Sequence, residues 1–390
     1  MRVAIFSESY EPVQNGVSTS VRTLIDELRI RHHKVTVVAP LYPEYDDGPF
    51  VLRVPSFPAP LNIDYNLPYP WFPKLKKEFA KLDPDVIHTQ SPWFLGMLGR
   101  RLAQQQNLPL VTTYHTLYNH YGHYLLVIPK PAVESLLEWW IPEYYNRCTC
   151  VIVPSKVASE SLHNYGVQSR IEVIPTGVPL PNESQVNEQA KQALRYRFGI
   201  PPDVPLLLYA GRISQEKNLE LVLHAFALVS ADNPSSRLLI VGSGPYEDAC
   251  KKIALQMVCG DKIIFAGPLQ HDEMFACYAA ADLFVFGSGT ETQGLVIAES
   301  RATGTPAVVV NEGGAPENVQ HGSDGIIVES DPYAFAAACN TILKSPSKLK
   351  SMTRACLQNA KQFTPEKMAE KVLEVYEWSI WKKGNSTRSS

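Results

Sequence analysis

Leu283-Phe284-Val285-Phe286-Gly287-Ser288-Gly289-Thr290-Glu291-Thr292-Gln293-Gly294-Leu295-Val296-Ile297-Ala298-Glu299 decides how the rest of the chain is read. Its apolar start, bounded by Asp282 and by Gly287-Ser288-Gly289, has the pattern of a buried strand followed by a small-residue turn. A helix is expected to begin near Gln293. Glu291 then sits in the turn, at the C-terminal edge of a sheet, and Glu299 sits within the helix. Between them lie the N–H groups of the first helical turn, which lack intrahelical partners and favour an anion. Two carboxylates flanking such a site suit a ligand that is anionic in the middle and hydroxyl-rich at both ends. A nucleotide sugar has that form.

Working outward, 390 residues suit two α/β domains better than one. A hydrophobic share of 45% with 19% charged residues belongs to a globular protein, and a net charge of −3 argues against bulk nucleic-acid binding. The seven cysteines are scattered without paired metal-ligand spacing, which fits a reducing compartment and disfavours structural zinc. Arg2-Val3-Ala4-Ile5-Phe6 enters a strand at once, without a signal-peptide layout. No apolar run approaches the ~18 residues that span a bilayer. The expected location is cytoplasmic, with at most a peripheral contact to the membrane face.

The N-terminal half reads as a βαβ unit with a long first loop, Ser7 to Ser18, that carries Asn15-Gly16 and lacks the G-x-G-x-x-G fingerprint. Gly16 is either a place of close backbone approach to a ligand or an ordinary turn glycine. Val54 to Pro73 is rich in proline and aromatic residues, and an irregular loop is expected there. Lys74 to Leu82 then places Leu75, Phe79 and Leu82 on one helical face with four lysines around the rest. Together with Trp71 and Phe72 it could rest on an anionic membrane; the alternative is a helix covering the sheet. Short apolar strands follow at Asp85-Val86-Ile87-His88 and Leu110-Val111-Thr112-Thr113-Tyr114. His115, just past the second strand, stands where α/β sheets bind ligands. His120 and His123 lie close by without an H-E-x-x-H pattern. Trp139, Trp140, Tyr144 and Tyr145 form an aromatic cluster expected to pack into the core, with a lipid or acceptor groove as the lesser alternative.

The C-terminal half repeats strand–helix alternation, which implies mainly parallel sheets covered by helices. Its first strand, Leu206 to Ala210, runs into Gly211-Arg212-Ile213-Ser214-Gln215-Glu216-Lys217-Asn218, placing two cations at a strand end. Arginine grips phosphate with two parallel bonds and lysine adds a point charge; the plainer alternative is a solvated pair at a helix start. Val241-Gly242-Ser243-Gly244-Pro245 offers close backbone approach of the kind a base and ribose need.

G-R-x-x-x-E-K-N, V-G-x-G-P and the two glutamates of the opening stretch, in that order, resemble the C-terminal half of family 4 retaining glycosyltransferases. N-G-V-S, D-V-I-H, Y-H-T and V-I-P-x-G-V fit the N-terminal half, so the resemblance spans nearly the whole chain. It implies an α/β fold of the GT-B class, two Rossmann-like domains facing across a cleft. The expected division is an acceptor domain over 1–178, a linker over 179–203 and a nucleotide-sugar domain over 204–364. A helix over 365–384 would cross back to the first domain, ahead of a disordered tail at 385–390.

Carried over position by position, the resemblance assigns Arg212 and Lys217 to the donor diphosphate, Glu299 to the ribose and Glu291 to the transferred sugar. Gln293, Gly294 and Leu295 would contact sugar and phosphate, Gly16 and Gly242 would let backbone approach the donor, and His115 would touch the sugar. Catalytic roles fall to Glu291, His115, Arg212 and Lys217. No metal site and no cofactor are expected, and Mg²⁺ would be at most stimulatory. Ser91 to Gly96, Tyr114 to Tyr118 with His123-Tyr124, and Thr290 to Leu295 are similar to the diacylglycerol glucosyltransferase subgroup. That similarity implies UDP-glucose as donor, a lipid acceptor, and an anionic membrane surface met through Trp71 to Leu82. The scaffold is shared with enzymes using GDP-mannose, UDP-galactose or UDP-sulfoquinovose, and with soluble or polysaccharide acceptors. A phosphorylase-type enzyme would need a pyridoxal lysine and a longer chain. A non-catalytic sugar-nucleotide binding protein would not need His115, Arg212, Lys217 and Glu291 together.

Overall fold

The computed structural model describes residues 1–45, 48–58, 66–69, 78–79, 81–118 and 130–386. They form two compact units, Met1–Gly177 with Pro365–Ser390, and Val178–Thr364.

The first unit holds β1 (Arg2–Phe6), α1 (Gly16–Ile30), β2 (Lys34–Pro40), β3 (Val51–Val54), β4 (Ser56–Pro58), β5 (Asn66–Pro68) and β6 (Val86–Thr89). It continues with α2 (Phe94–Gln105), β7 (Leu110–Thr113), α3 (Lys130–Tyr145), β8 (Cys150–Val153), α4 (Lys156–Asn164) and β9 (Ile171–Val173). Seven strands make one parallel sheet in the order β3-β2-β1-β6-β7-β8-β9. Successive side chains of a strand point to opposite faces. Accordingly Ala4 and Phe6 join a core with Ile87, Tyr114, Tyr144 and Tyr145, while Val3 and Ile5 join another with Val21, Leu24, Val37 and Val111. Strands buried on both faces read as continuous apolar runs, which is why these were legible.

The second unit opens with α5 (Glu183–Val186) and α6 (Glu188–Arg197), followed by β10 (Leu206–Ala210), α7 (Leu219–Asp232), β11 (Arg237–Val241), α8 (Glu247–Gln256) and β12 (Ile263–Gly267). After these come α9 (His271–Ala280), β13 (Leu283–Phe286), α10 (Leu295–Ala302), β14 (Ala307–Val310), β15 (Gly325–Val328), α11 (Pro332–Leu343) and α12 (Pro346–Ala360). Its six-stranded parallel sheet has the order β12-β11-β10-β13-β14-β15. The last helix, α13 (Pro365–Ser386), belongs to the first unit. Met368, Val372, Val375 and Tyr376 recur at helical spacing and are buried in that unit's core. Tyr376 Oη lies 2.7 Å from His88 Nδ1, and His88 Nε2 lies 2.8 Å from Thr113 Oγ1.

Several expectations need correction. The proline-rich stretch is not wholly irregular: β4 and β5 pair antiparallel, Ser56 opposite Pro68 and Pro58 opposite Asn66. The two prolines sit at opposite ends of a two-stranded ribbon, where a missing N–H is tolerated. Residues 179–203, read as a linker, contain α5 and α6; Asn187 caps α6 by accepting from Ala190 N at 2.9 Å, and Leu194 and Ile200 enter the second core. The low apolar content there reflects short surface helices. The C-terminal helix runs to Ser386, past the expected tail boundary, and residues 387–390 lie outside the described residues. Phe79 is fully buried with its ring 5.7 Å from Phe6, and Leu82 packs beside it, so this end of the lysine-rich segment covers the sheet. Trp71 to Lys77, which carry three of its lysines, lie outside the described residues, as do His120 and His123. The aromatic cluster on α3 splits: Tyr144 and Tyr145 are buried and Trp140 packs on them, whereas Trp139 is 62% exposed because its helical phase faces outward. All seven cysteines are buried and unpaired. Among the described residues no helix is long and apolar enough to cross a membrane.

The bond from Tyr376 ties α13 to the sheet through a buried histidine. Tyr376→Phe removes one partner and leaves His88 Nδ1 unsatisfied, so it should cost about 1–3 kcal/mol. A thermal melt should show the first unit's transition lowered by several degrees, and an unchanged midpoint would contradict the assignment.

Candidate active site

Each sheet reverses its strand order once: between β1 and β6 in the first unit, and between β10 and β13 in the second. At such a switch point the loops leaving the two C-terminal strand ends diverge and open a crevice. In the second unit those loops are Gly211 to Asn218 after β10 and Gly287 to Gly294 after β13, the two stretches singled out from sequence.

The structure brings them together. Lys217 Nζ donates to Glu291 Oε1 at 2.5 Å, with both side chains more than four-fifths buried. Lys217 ends a short 3-10 turn, Gln215–Lys217, which Asn218 closes in the left-handed conformation at φ 50° before α7. Asparagine tolerates that conformation better than most residues do, which accounts for its place after the lysine. Arg212 is exposed at the strand end, and its carbonyl accepts from the buried Tyr209 hydroxyl at 3.2 Å. Glu299 Oε2 accepts from Tyr278 Oη at 2.7 Å. Tyr278 on α9 was not anticipated, since nothing in the sequence ties it to α10.

The turn between Glu291 and α10 owes its shape to a neighbouring segment, Glu312 to Asn318 after β14, that sequence pattern alone does not tie to it. Gly314 N donates to the Glu291 carbonyl at 2.7 Å, and Asn318 Nδ2 donates to the Gln293 carbonyl. A Cβ on Gly314 would lie 2.3 Å from the Thr292 oxygen. Three successive carbonyls, those of Glu291, Thr292 and Gln293, are thus turned toward Gly314 and Asn318. In a planar trans peptide the N–H points opposite to the C=O. The N–H groups of Thr292, Gln293 and Gly294 are therefore turned to the other side, as a cradle of partial positive charge at the start of α10. Gly294 adopts φ +80°, which a residue with a side chain takes only under strain, and α10 begins at Leu295, two residues later than expected. Gly242, at the end of β11, donates its N–H to the Gly267 carbonyl at 2.9 Å and packs against the Gly211 carbonyl. Its lack of a side chain serves that contact between loops.

In the first unit His115 follows β7, half-buried, with Nε2 2.7 Å from Gln90 Oε1. Burial pushes its imidazole down to about 4, so it is neutral at neutral pH. His88, fully buried behind it, is pushed down to about 3 by burial, with a smaller effect from His115. Gln90, which follows β6 at this unit's switch point, was not foreseen as the partner of His115. Neither was Glu8 after β1, a buried carboxyl that accepts from Leu95 N at 2.6 Å and from the Ser91 hydroxyl, and so holds the start of α2. Desolvation pushes that carboxyl above the ordinary range. Gly16 is the exposed first residue of α1, and Asn15 caps the helix by accepting from Val17 N at 3.0 Å and Ser18 N at 2.9 Å. Two of the first-turn N–H groups there are occupied by the cap. Among the described residues no group of three or more His, Cys, Asp or Glu side chains is arranged to hold a metal ion.

Two family models match the chain in tandem: glycosyltransferase family 4 over residues 14–181 and glycosyl transferases group 1 over residues 190–363. The chain is 34% identical to an alpha-monoglucosyldiacylglycerol synthase of Streptococcus pneumoniae, over 79% of this chain and 70% of the relative. It is 29% identical to the enzyme of the same name from Acholeplasma laidlawii, over 96% of both chains. Among solved structures, the sucrose-phosphate synthase of Thermosynechococcus elongatus superposes with a TM-score of 0.79 at 23% identity, covering 97% of this chain and 99% of that one.

Two outcomes are expected from this geometry. Gly314→Ala forces a carbonyl out of the way, and overpacking of that kind costs about 1–3 kcal/mol; a urea titration should show the loss. Both histidines sit below the ordinary value of 6.5, so the unfolded chain takes up protons first on acidification. The stability they contribute is complete above about 6.5 and is lost as pH falls toward 4. Denaturation midpoints of the first unit should drop over that window, and His88→Gln should flatten the drop.

Proposed function

The chain belongs to glycosyltransferase family 4 and has the GT-B fold, and from that premise we propose that it moves a hexose from a nucleotide diphosphate sugar to a lipid acceptor. The observation that carries this is the Lys217–Glu291 pair beside the N–H cradle at α10, on the strand ends flanking the switch point. The cradle and the two cations, Arg212 and Lys217, suit a diphosphate. Glu299, oriented by Tyr278, suits the ribose hydroxyls, and Glu291 suits the sugar.

The bond that breaks joins the anomeric carbon to the diphosphate oxygen, and the electron pair leaves with the phosphate. Arg212, Lys217 and the cradle stabilise the charge that develops there, a task at which preorganised donors are effective. The bond that forms joins the anomeric carbon to the acceptor hydroxyl, whose proton passes to the departing phosphate on the same face. Attack from that face retains the anomeric configuration. Lys217, held against Glu291, keeps that carboxylate paired before substrate arrives and can shift toward phosphate afterwards. His115 enters as a neutral imidazole, suited to hydrogen bonding with sugar hydroxyls. The reaction needs no bound metal in this scheme.

Glucose from UDP-glucose as the moved unit, and a diacylglycerol-type lipid as acceptor, are supported by the names of the two synthases above. A lipid acceptor calls for work at a membrane surface.

The purified chain should release UDP from UDP-glucose in the presence of diacylglycerol vesicles, and faster than from other nucleotide sugars. Glu291→Ala should lower that turnover by about 10²–10³-fold with little change in melting temperature, since one electrostatic partner of a transition state has that weight. Turnover with soluble acceptors alone, and no sedimentation with anionic vesicles, would remove the lipid part of the proposal and leave the transferase.

A further inference from the structure

Asn318 is a buried polar residue, 7% exposed, in the segment after β14. Its Nδ2 donates to the carbonyl of Gln293 and lies 3.5 Å from the Gly314 oxygen. Its own backbone carbonyl accepts from Arg301 Nη1 at 2.8 Å. Arg301 comes from α10, is 5% exposed, and stacks over the Phe363 ring at 4.4 Å. Helix α10 thus fixes Asn318 from behind, and Asn318 fixes the peptide from which α10 starts. Arg301, Asn318 and Gln293 close a short loop of contacts around the N-terminus of one helix.

The consequence concerns one peptide plane. Gln293 C=O and Gly294 N–H belong to the same planar trans unit and point in opposite directions. Gly294 has no side chain to resist rotation of that plane, and at φ +80° it stands in a region where glycine moves freely. Without a donor on the Gln293 oxygen, the plane can turn and carry the Gly294 N–H away from the cradle. The neighbouring planes are held differently: the Glu291 carbonyl by the Gly314 N–H, the Thr292 carbonyl by packing on Gly314. The plane next to the helix is the one that a side chain, Asn318, holds.

We propose that Asn318 is a positioning residue for diphosphate binding: by holding the Gln293 carbonyl it keeps the Gly294 N–H aimed at the phosphates of the donor. This rests on the donor site proposed above. Asn318 touches no substrate, so its effect is specific to the anionic part of the ligand. An acceptor in its place is worse than an apolar group, because a carboxylate would repel the carbonyl oxygen and favour the turned peptide.

The test measures affinity of the full chain for UDP and for uridine by titration, with GDP and guanosine as a second pair. Asn318→Leu should weaken UDP about tenfold, the size expected when a buried carbonyl loses its donor, and leave uridine within twofold. Asn318→Asp, closer in shape, should weaken UDP at least as much, and Asn318→Gln should lie between them and the native chain. In the enzyme assay KM for the donor should rise more than kcat falls. UDP affinity within twofold of native in a folded variant would overturn the proposal, and so would equal losses for UDP and uridine, which mark a merely structural role. If Asn318→Leu does not fold, the Asp and Gln variants decide between the same outcomes. A native chain that binds neither diphosphate would overturn the donor-site reading itself, and this proposal with it.

Discussion

Gly314 leaves no room for a side chain, and the arrangement of the candidate site depends on that. With the Thr292 oxygen 2.3 Å from where a Cβ would stand, two loops from adjacent strands press backbone against backbone. Close packing at that point settles which way the carbonyls between Glu291 and Gln293 face, and so which way the N–H groups face. The positive character at the start of α10 is then a property of backbone held rigid, and it requires no charged side chain. Arg212 and Lys217 add charge from the neighbouring strand end. The carboxylates are placed by separate devices, Glu291 by Lys217 and Glu299 by Tyr278.

The two units use one plan with different chemistry at the edge. In the second unit the loops at the strand reversal carry cations and N–H groups. In the first, the corresponding loops carry Glu8 and Gln90, both buried, with His115 from the next strand. Glu8 is consumed by Ser91 and the start of α2, and Gln90 by His115. The first unit therefore presents neutral hydrogen-bonding groups, and the second presents the charge.

The parallel sheets were legible because strands buried on both faces are continuous apolar runs, as in Leu206 to Ala210 and Leu283 to Phe286. Lys217 and Glu291 were legible because each stands beside a strand end in a glycine-rich turn. The partners that orient site residues were not. Tyr278, Gln90 and Asn318 meet their targets through folding of distant segments, and each sits in an ordinary-looking stretch of helix or loop. Glu312 to Asn318 does carry a signal, a glycine pair two residues after an apolar strand. The ribbon of β4 and β5 was hidden by its prolines, which suppress strand patterns even where the ends of a ribbon accept them. The span 179–203 shows the opposite effect: its low apolar content has the pattern of a connection, although a single buried leucine, Leu194, is enough to dock a short helix.

The membership of α13 in the first unit bears on how this protein is made. The second unit is one uninterrupted segment, Val178–Thr364, complete within itself once that stretch of chain has been synthesised. The first unit is not. Its sheet is translated early, yet the face formed by Val3, Ile5, Val37 and Val111 is finished only by Met368, Val372, Val375 and Tyr376, near the end of the chain. On the ribosome α1 can cover part of that face early, but the strip beside it that α13 fills must wait while the whole of the second unit is produced. At about 5–20 residues per second the wait is on the order of ten seconds or more. The later-encoded unit can therefore reach its final state first, and the segment most in need of a chaperone during biosynthesis is the one that emerged earliest.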